Sequence, residues 1–169
     1  MTQSQFIGTD TLSAHIDALA QGCASRDPRA LFRAIDAYAH QTLGQRLCTI
    51  NRYDAGSMTV VRQYSSNPDA YPPGGKKHKA GTAWGKQVLL EQRLFIGQGA
   101  DAIRQAFDDH AAITALGLRS VINVPVVAQG ACLGTVNFLM TTDTIAPQHV
   151  VVARLAGLLA VPGLLAAAA

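Results

Sequence analysis

RSVINVPVVAQGACLGTVNFLM, residues 119–140, contains two runs rich in apolar and β-branched residues, joined at Gln129-Gly130. Runs of this kind on either side of a short glycine-containing turn predict an antiparallel β-hairpin. Side chains alternate between the two faces of a strand, so Val121 and Asn123 share one face of the first strand. Asn137 lies near the middle of the second strand. The hairpin therefore offers one asparagine on each strand as a candidate for a polar surface of the sheet.

Two helices and a second hairpin are predicted before this stretch. Apolar residues recur at helical spacing over residues 10–24, behind a candidate N-cap at Asp10. Asp27-Pro28 supplies the N-cap and first-turn proline of a second helix, which is expected to end at Gly44. Two β-branched runs within residues 47–65 flank the turn sequence DAGS, which predicts the second hairpin.

The middle of the chain is predicted to be a surface excursion followed by short elements. Residues 66–82 break every periodicity and contain the sequence PPGGKKHKAGT, which indicates a mobile basic loop. Helical spacing resumes over residues 83–92, and a short strand at 94–96 and a short helix at 101–107 follow. An apolar helix is expected at residues 147–165.

The order of these elements predicts the α+β class. We expect an antiparallel sheet of about five or six strands, with N- and C-terminal helices on one face and a loop-helix segment over the other. A chain of 169 residues, 49% of them hydrophobic, is long enough for one domain that buries most of the surface of its unfolded chain. No internal repeat or linker indicates a second domain.

Two motifs in this sequence resemble those of GAF domains. They are SVINVPV at residues 120–126 and LGTVNF at 133–138, and the likeness runs from about residue 31 to residue 140. It implies a GAF/PAS-like fold and a single GAF domain over residues 1–169, with the core at 31–140 and flanking helices at 10–24 and 147–165. It also implies a sensory or regulatory module without catalytic activity, which binds a small molecule between the sheet and the loop-helix segment.

The resemblance and the local chemistry together predict the ligand-binding residues. The basic run precedes a helix N-terminus, where free N–H groups and the helix dipole favour an anion, although a solvated charge run is the alternative. Thr82 is equally explained as the N-cap of that helix, and Trp84 as a core residue. Arg62 and Arg119 join the site if their strands face it. The predicted ligand-binding residues are Tyr64, Tyr71, Lys76, Lys77, Lys79, Thr82, Trp84, Arg119, Val121, Asn123 and Asn137.

Three more specific GAF chemistries find no support in the residues. Residues 64–118 contain no cysteine, so neither the thiols of free methionine sulfoxide reductases nor the attachment site of a covalent bilin is present. The signature of cyclic-nucleotide-binding members is also missing. Five histidines show no metal-binding spacing, so no metal or other cofactor is predicted. Asp108-Asp109-His110 has the composition of an acid-base cluster, but surface helix ends share it.

Composition and the chain ends set the expectations for partners and location. Residues 1–10 are a polar lead-in, unlike a secretion signal, which favours a cytoplasmic protein. The apolar stretch at residues 155–169 is shorter than the ~20 residues of a membrane span, so no membrane is expected. A net charge of +3 does not indicate a nucleic-acid partner. The last helix carries more apolar residues than one sheet face needs, which predicts a homodimer through the terminal helices.

Three functions remain open on the sequence alone. The first is a sensor of a small anionic or polar planar ligand whose identity the residues do not name. The second is a dimeric protein-interaction scaffold with an unused pocket. The third is an enzyme of the free methionine sulfoxide reductase type, which would need thiols that the sequence places outside the pocket segment.

Overall fold

The structure is a computed structural model that describes residues 8–168. Most of the polar lead-in and the final alanine lie outside the described residues. One antiparallel sheet has the strand order β3-β2-β1-β6-β5-β4, so the predicted α+β class with six strands is confirmed. The strands are β1 Leu47–Asp54, β2 Thr59–Ser65, β3 Lys76–His78, β4 Phe95–Gln98, β5 Ser120–Ala128 and β6 Ala131–Met140.

Six α-helices and one π-helical segment accompany the sheet in the described part of the chain. Asp27 caps the second helix by accepting a hydrogen bond from the Arg29 N–H at 3.0 Å, and Gly44 ends it in the left-handed conformation, as predicted. The helices are α1 Thr9–Ala24, α2 Pro28–Leu43, α3 Ala100–Ala106, α4 His110–Ala115, α5 Pro147–Leu159 and α6 Val161–Ala166, and the π-helical segment is Gly85–Leu90.

The main hydrophobic core lies between the sheet and helices α2, α5 and α6. Side chains from alternate positions of β1, β5 and β6 point to this face, and removing them from water supplies the largest favourable contribution to folding. Helix α1 packs on α2 rather than on the sheet, and Gly22 is its only buried residue. The largest fully buried side chains of this core are Leu31, Phe32, Ile35, Ile50, Ile122, Phe138, Met140 and Leu164.

The opposite face of the sheet is covered by the π-helical segment, α3, α4 and the excursion at residues 66–82. Two smaller apolar clusters join this cover to the sheet, one around Ile103, Ile113 and Leu118 and the other around Trp84 and Val88. The cover does not fill the whole face. The space that it leaves is described below as the candidate site.

The hairpin formed by β5 and β6 pairs as its sequence predicts. Gln129 and Gly130 have φ angles of 51° and 78°, which is the pair of left-handed residues that a two-residue type I′ turn requires. The register pairs Asn123 with Asn137 directly across the two strands. A register shift beside Val126 marks a β-bulge, which increases the local twist of the hairpin.

Several boundaries differ from the prediction, each for a local reason. The expected mobile basic loop instead contains the edge strand β3, because residues 76–78 hydrogen-bond to the free edge of β2. The predicted C-terminal helix is two helices that meet at Ala160, since Pro162 has no N–H to continue the helical ladder. The N-cap of α1 is Gly8, so Asp10 lies in its first turn. Helix α4 was not predicted.

Among residues 8–168, one helical run, Pro147–Ala166, is long and apolar enough to cross a membrane by length and composition. Its small side chains are buried against the sheet: Ala153, Ala156 and Ala160 are fully buried, and Leu164 nearly so. These contacts belong to the main core. One side of the run therefore belongs to the core, while Val151, Leu155 and Leu158 on its other side are exposed.

Gly134 provides a test of how tightly the sheet is built. A Cβ atom at this position would lie 1.9 Å from the Asn51 carbonyl oxygen on β1, a backbone atom that cannot move aside without breaking the ladder. We expect Gly134→Ala to lower the free energy of unfolding by ~3 kcal/mol, measured by urea denaturation. The control is Gly56→Ala, whose nearest contact is an Asp54 side-chain oxygen at 3.5 Å. Equal stability of the two variants would contradict the tight strand packing.

Candidate functional site

A pocket lies between the sheet and its cover, on the face opposite the main core. Its cavity volume is about 70 Å³. The lining comes from β1, β2, β5 and β6 below, from the basic run at the side, and from Trp84 and the α3–α4 region above. Its apolar lining residues are Leu47, Val60, Phe107, Ile113, Val121 and Leu139.

The structure brings most of the predicted site residues together in this pocket. They come from four separate parts of the chain, and the sheet register and the cover place them around one cavity. Their role in binding stays a prediction. The predicted residues that line the pocket are Tyr71, Lys77, Lys79, Trp84, Val121, Asn123 and Asn137.

Tyr64 lies on the other face of the sheet. Its hydroxyl donates a hydrogen bond to Asp36 Oδ2 of helix α2 at 2.8 Å, so it belongs to the main core and not to the pocket. Simple alternation would put Tyr64 and Arg62 on the same face. The register of β2 against β1 shifts at Gln63, however, and this bulge sends Arg62 into the pocket and Tyr64 to the helices.

Lys76 and Arg119 also lie outside the pocket. Lys76 is exposed on β3, where alternation turns it away from the pocket that its neighbour Lys77 enters. Arg119 precedes β5 and pairs with Asp143 at 2.7 Å, with both side chains 53% exposed. Neither residue contributes a charge to the cavity.

Thr82 stabilises the start of the helical segment above the pocket. Its hydroxyl accepts a hydrogen bond from the Gly85 N–H at 2.9 Å and donates one to the Lys79 carbonyl at 2.8 Å. This is the capping role that the sequence offered as the alternative to ligand contact. Thr82 therefore positions Trp84 and Lys79 without lining the cavity.

The floor of the pocket is a chain of side-chain hydrogen bonds. Trp84 Nε1 donates to Asn123 Oδ1 at 2.9 Å, and Asn123 Nδ2 donates to Asn137 Oδ1 at 2.8 Å. Asn137 Nδ2 in turn faces the Thr49 carbonyl, the Thr49 hydroxyl and the Thr135 hydroxyl at 3.1–3.3 Å. All of these residues are buried, and the chain joins the cover to β5, β6 and β1.

The chemistry at the two ends fixes the direction of this chain. The indole N–H of Trp84 is only a donor, so Asn123 must present its oxygen to it. The backbone carbonyl of Thr49 is only an acceptor, so Asn137 must present its amide nitrogen there. Both amide orientations follow from these two constraints. The floor is therefore an ordered network. Each amide oxygen accepts from the neighbour on the Trp84 side, and each amide nitrogen donates to the neighbour on the Thr49 side.

One wall of the pocket carries an ion pair with an attached tyrosine. Lys77 Nζ lies 2.6 Å from Asp109 Oδ2, and the Tyr71 hydroxyl donates to the same oxygen at 3.1 Å. Burial opposes ionisation of Asp109, but its contacts with Lys77 and Tyr71 outweigh this and lower its pKa. Burial, followed by the charge of Asp109, raises the pKa of Tyr71. Asp109 is thus a carboxylate whose charge is already balanced.

Arg62 and Lys79 lack such a partner in the described part of the chain. Arg62 stacks over the Tyr71 ring at 5.0 Å and donates from Nη1 to the Pro72 carbonyl at 2.8 Å, while its buried Nε has no hydrogen-bond partner. Lys79 is only 6% exposed, and its ammonium group lies 5.1 Å from the centre of the Trp84 ring. Burial lowers the pKa of both side chains, and Lys77 lowers that of Lys79 further.

The sequence predicts Arg62 in the site only on a condition, and it assigns Asp109 a role other than the one that the structure shows. Arg62 was expected in the site if its strand faced the pocket, and the bulge that decides this leaves no mark in the sequence. Asp109 was considered as part of an acid-base cluster, whereas the structure uses it to neutralise Lys77. Thr49 carries no signal at all, because its importance comes from pairing with Asn137 across 88 residues of chain.

The fold is supported by similarity to solved structures and not by similarity of sequence. No family model and no curated protein matches the sequence. A GAF domain of an Acinetobacter phosphoenolpyruvate-protein phosphotransferase superposes with a TM-score of 0.73 at 10% identity, covering 96% of each chain. The corresponding GAF domain from Coxiella burnetii gives 0.70 at 16% identity, covering 93% of this chain and 94% of that one.

The chain has the GAF fold. The chromophore-binding domain of a Stigmatella aurantiaca bacteriophytochrome is also similar, with a TM-score of 0.66 at 14% identity over 98% of this chain and 63% of that chain. The predicted GAF/PAS-like architecture is therefore confirmed.

The three cysteines of this chain lie away from the pocket lining. Cys23 is exposed on α1, Cys48 is buried on the helix face, and Cys132 Sγ donates to the Gly134 carbonyl at 3.5 Å. Burial raises the pKa of Cys48 and of Cys132, which disfavours the reactive thiolate. Among residues 8–168, no group of three potential ligand side chains is placed to hold a metal ion.

The buried charge of Lys79 predicts a stability cost. Replacing it by methionine keeps a similar length but removes a cation that has no anionic partner, so we expect Lys79→Met to raise the free energy of unfolding by ~1 kcal/mol. For a domain of this size that is about 2–4 °C in Tm. Lys76→Met, on the exposed side of the neighbouring strand β3, is the matched control and should change stability by less than about 0.5 kcal/mol.

The sign of the pH dependence follows from the lowered pKa of Lys79. Below its folded-state pKa the wild type carries the full penalty of the buried charge. Between that pKa and the higher value of the unfolded chain, the unfolded state binds more protons, so wild-type stability rises with pH. The advantage of Lys79→Met should therefore shrink at alkaline pH. A destabilised Lys79→Met variant at neutral pH would show that the ammonium group is well satisfied.

Proposed function

We propose that this GAF domain is a sensory module that binds a small anionic ligand in the pocket. One observation carries the proposal: Arg62, which is half-buried, and Lys79, which is buried, bring two positive charges to one cavity without an ion-pair partner among the described residues. Burying an unpaired charge is costly unless something compensates for it. A ligand carboxylate or other anion provides that compensation.

The rest of the lining favours a compact ligand with an apolar part. A cavity of about 70 Å³ has room for about five water molecules, at roughly 10–15 Å³ for each, and apolar side chains form much of its wall. Trp84 presents one ring face to Lys79 and its N–H edge to Asn123, so that face and that edge are already engaged. This favours an anion at Lys79 over a large planar ring stacked on Trp84.

The sensory part of the proposal rests on the fold and on the position of the pocket. The GAF domains that superpose on this chain come from a phosphotransferase and a bacteriophytochrome. A ligand that pairs with Lys79 contacts the cover, and the floor network joins that cover to the central strands. We propose a regulatory role without catalysis or a cofactor, in a cytoplasmic protein that does not bind membranes or nucleic acid.

Ligand binding is measurable through Trp84, the only tryptophan in the chain. We expect at least one class in a panel of carboxylic acids, amino acids, nucleobases and cyclic nucleotides to raise Tm by several degrees and change the fluorescence of Trp84. A ligand at a hundred times its dissociation constant adds ~2.7 kcal/mol to stability. Lys79→Ala should weaken binding by about tenfold or more, because it removes a charge-assisted contact.

Lys76→Ala is the matched control for this measurement. It removes the same kind of charge three residues earlier in the chain, from the exposed side of β3, so its ligand affinity should stay within about twofold of wild type. Equal affinities of wild type and Lys79→Ala would remove the anion site from the proposal. The absence of any shift across the panel would favour the scaffold function instead.

A homodimer through the terminal helices is the second part of the proposal. Helix α1 has 16 residues but buries only Gly22, and an isolated helix of this length is marginal in water. Several large apolar side chains on α1, α5 and α6 point to solvent in the single chain. A second copy covers such a surface most simply. The exposed residues are Leu12, Ile16, Val151, Leu155, Leu158 and Leu165.

Leu158 tests this dimer because it is 68% exposed on α5. We expect Leu158→Glu to raise the dimer dissociation constant by about tenfold or more, since it places charge in an apolar contact. Leu90→Glu is the control, because Leu90 is also exposed but lies on the cover side of the sheet. Sedimentation equilibrium measures both. A wild type that remains monomeric at micromolar concentration would contradict the dimer and the scaffold function together.

A further inference from the structure

The number of unbalanced charges in the pocket limits the kind of anion that fits. Three cations, Arg62, Lys77 and Lys79, line the cavity together with one carboxylate, Asp109. Lys77 and Asp109 are paired at 2.6 Å and neutralise each other. Two positive charges remain, and a ligand that balances them carries two negative charges.

The strand register sets the backbone positions of Arg62 and Lys79 apart. Arg62 donates its backbone N–H to Gly75, Val60 pairs with Lys77, and Lys79 donates its N–H to Met58. Arg62 and Lys79 therefore start from the same face at opposite ends of the β2–β3 ladder. Four residue steps separate their positions, which corresponds to about 13 Å of backbone.

The space between these two ends is occupied by groups that do not attract an anion. Val60 is buried between them on β2, and the neutral pair of Lys77 and Asp109 lies beside it. A phosphate group concentrates both of its charges at one point and would have to bring both cations together there. Two carboxylates joined by a short aliphatic chain match cations that extend from separated backbone positions on either side of the apolar Val60.

We infer that the ligand is a short-chain dicarboxylate, with one carboxylate bound by Arg62 and the other by Lys79. This inference rests on the proposed function and specifies the ligand of the same pocket. The guanidinium group of Arg62, which lines the cavity, is the donor for the first carboxylate. The Lys79 ammonium group over Trp84 is the donor for the second. Val60 contacts the carbon chain between them.

Gly75 allows the Arg62 contact to be changed without changing the charge of the pocket. A Cβ at Gly75 would lie 2.6 Å from Arg62 Nη1. The guanidinium group is the mobile end of a long side chain, so Gly75→Ala should displace it while the strand remains folded. Lys79→Met removes the second anchor. Lys76→Met, on the exposed side of β3, is the control for lost charge alone.

The experiment compares dicarboxylates with monocarboxylates of the same carbon number at constant ionic strength and neutral pH. Malonate, succinate and glutarate are paired with propionate, butyrate and valerate, and binding is measured by calorimetry and Trp84 fluorescence. We expect at least one dicarboxylate to bind about tenfold or more tightly than its partner, as a second charge-assisted contact implies. Lys79→Met and Gly75→Ala should each abolish this preference, whereas Lys76→Met should preserve it.

The monocarboxylates provide a sharper internal check. A single carboxylate has two anchors to choose from, so losing one of two equivalent sites should weaken its binding only about twofold. The same variant should weaken the preferred dicarboxylate about tenfold. This difference separates two-point recognition from a general loss of affinity caused by a damaged pocket.

Three results would overturn the inference. Equal affinities for all the matched acids would show one-point recognition and leave the proposed anion sensor standing. Methyl phosphate binding as tightly as the best dicarboxylate would show that the two cations converge on one group. No binding of any carboxylate would reject the dicarboxylate, and the wider panel described above then decides separately whether the pocket binds another anion.

Discussion

The pairing of Asn123 with Asn137 is the interaction on which the pocket depends. These asparagines face each other across the two central strands, and their amides join the cover to the sheet through Trp84 at one end and Thr49 at the other. Buried amides are costly unless every group is satisfied, and here the donor-only indole and the acceptor-only carbonyl leave one consistent arrangement. The cover is thereby held at a defined height above the floor, and the cavity exists because that height exceeds what the apolar side chains fill.

The charged wall of the pocket differs from the floor, because its cations lack anionic partners whereas the floor amides are hydrogen-bonded. Lys79 and Arg62 are held in a partly closed, apolar setting by contacts with aromatic rings, which orient the cations without neutralising them. A domain selected for stability alone would replace such groups by apolar ones. Residues that lower stability in the empty protein and recover it with a ligand are typical of binding sites. The contrast between floor and wall separates the structural polar residues from those available to a ligand.

The sequence was sufficient for the fold and for part of the site, and the reasons are local. The I′ turn at Gln129-Gly130, the cap at Asp27 and the alternation along β5 and β6 are short-range signals, and the structure follows them. Tyr64 was predicted to line the pocket, and Arg62 only if its strand faced it. A single bulge at Gln63 instead turns Arg62 to the pocket and Tyr64 to the helices. Bulges depend on the pairing with a neighbouring strand, so alternation within one strand cannot reveal them. Strand β3 within the basic run was missed for the same reason. It forms because the free edge of β2 offers hydrogen bonds, which the composition of the run does not reveal.

That bulge also makes two nearby residues of β2 contact opposite sides of the sheet. Arg62 enters the pocket, whereas Tyr64, two residues later, crosses to the helix layer and bonds to Asp36 of α2. Asp36 in turn accepts a hydrogen bond from Gln45, in the connection that leads from α2 into β1. Helix α2 supports α1, whose exposed apolar side is proposed to meet a second copy. A chain of contacts therefore runs from β2 through Tyr64 and Asp36 to helix α2, which packs on α1.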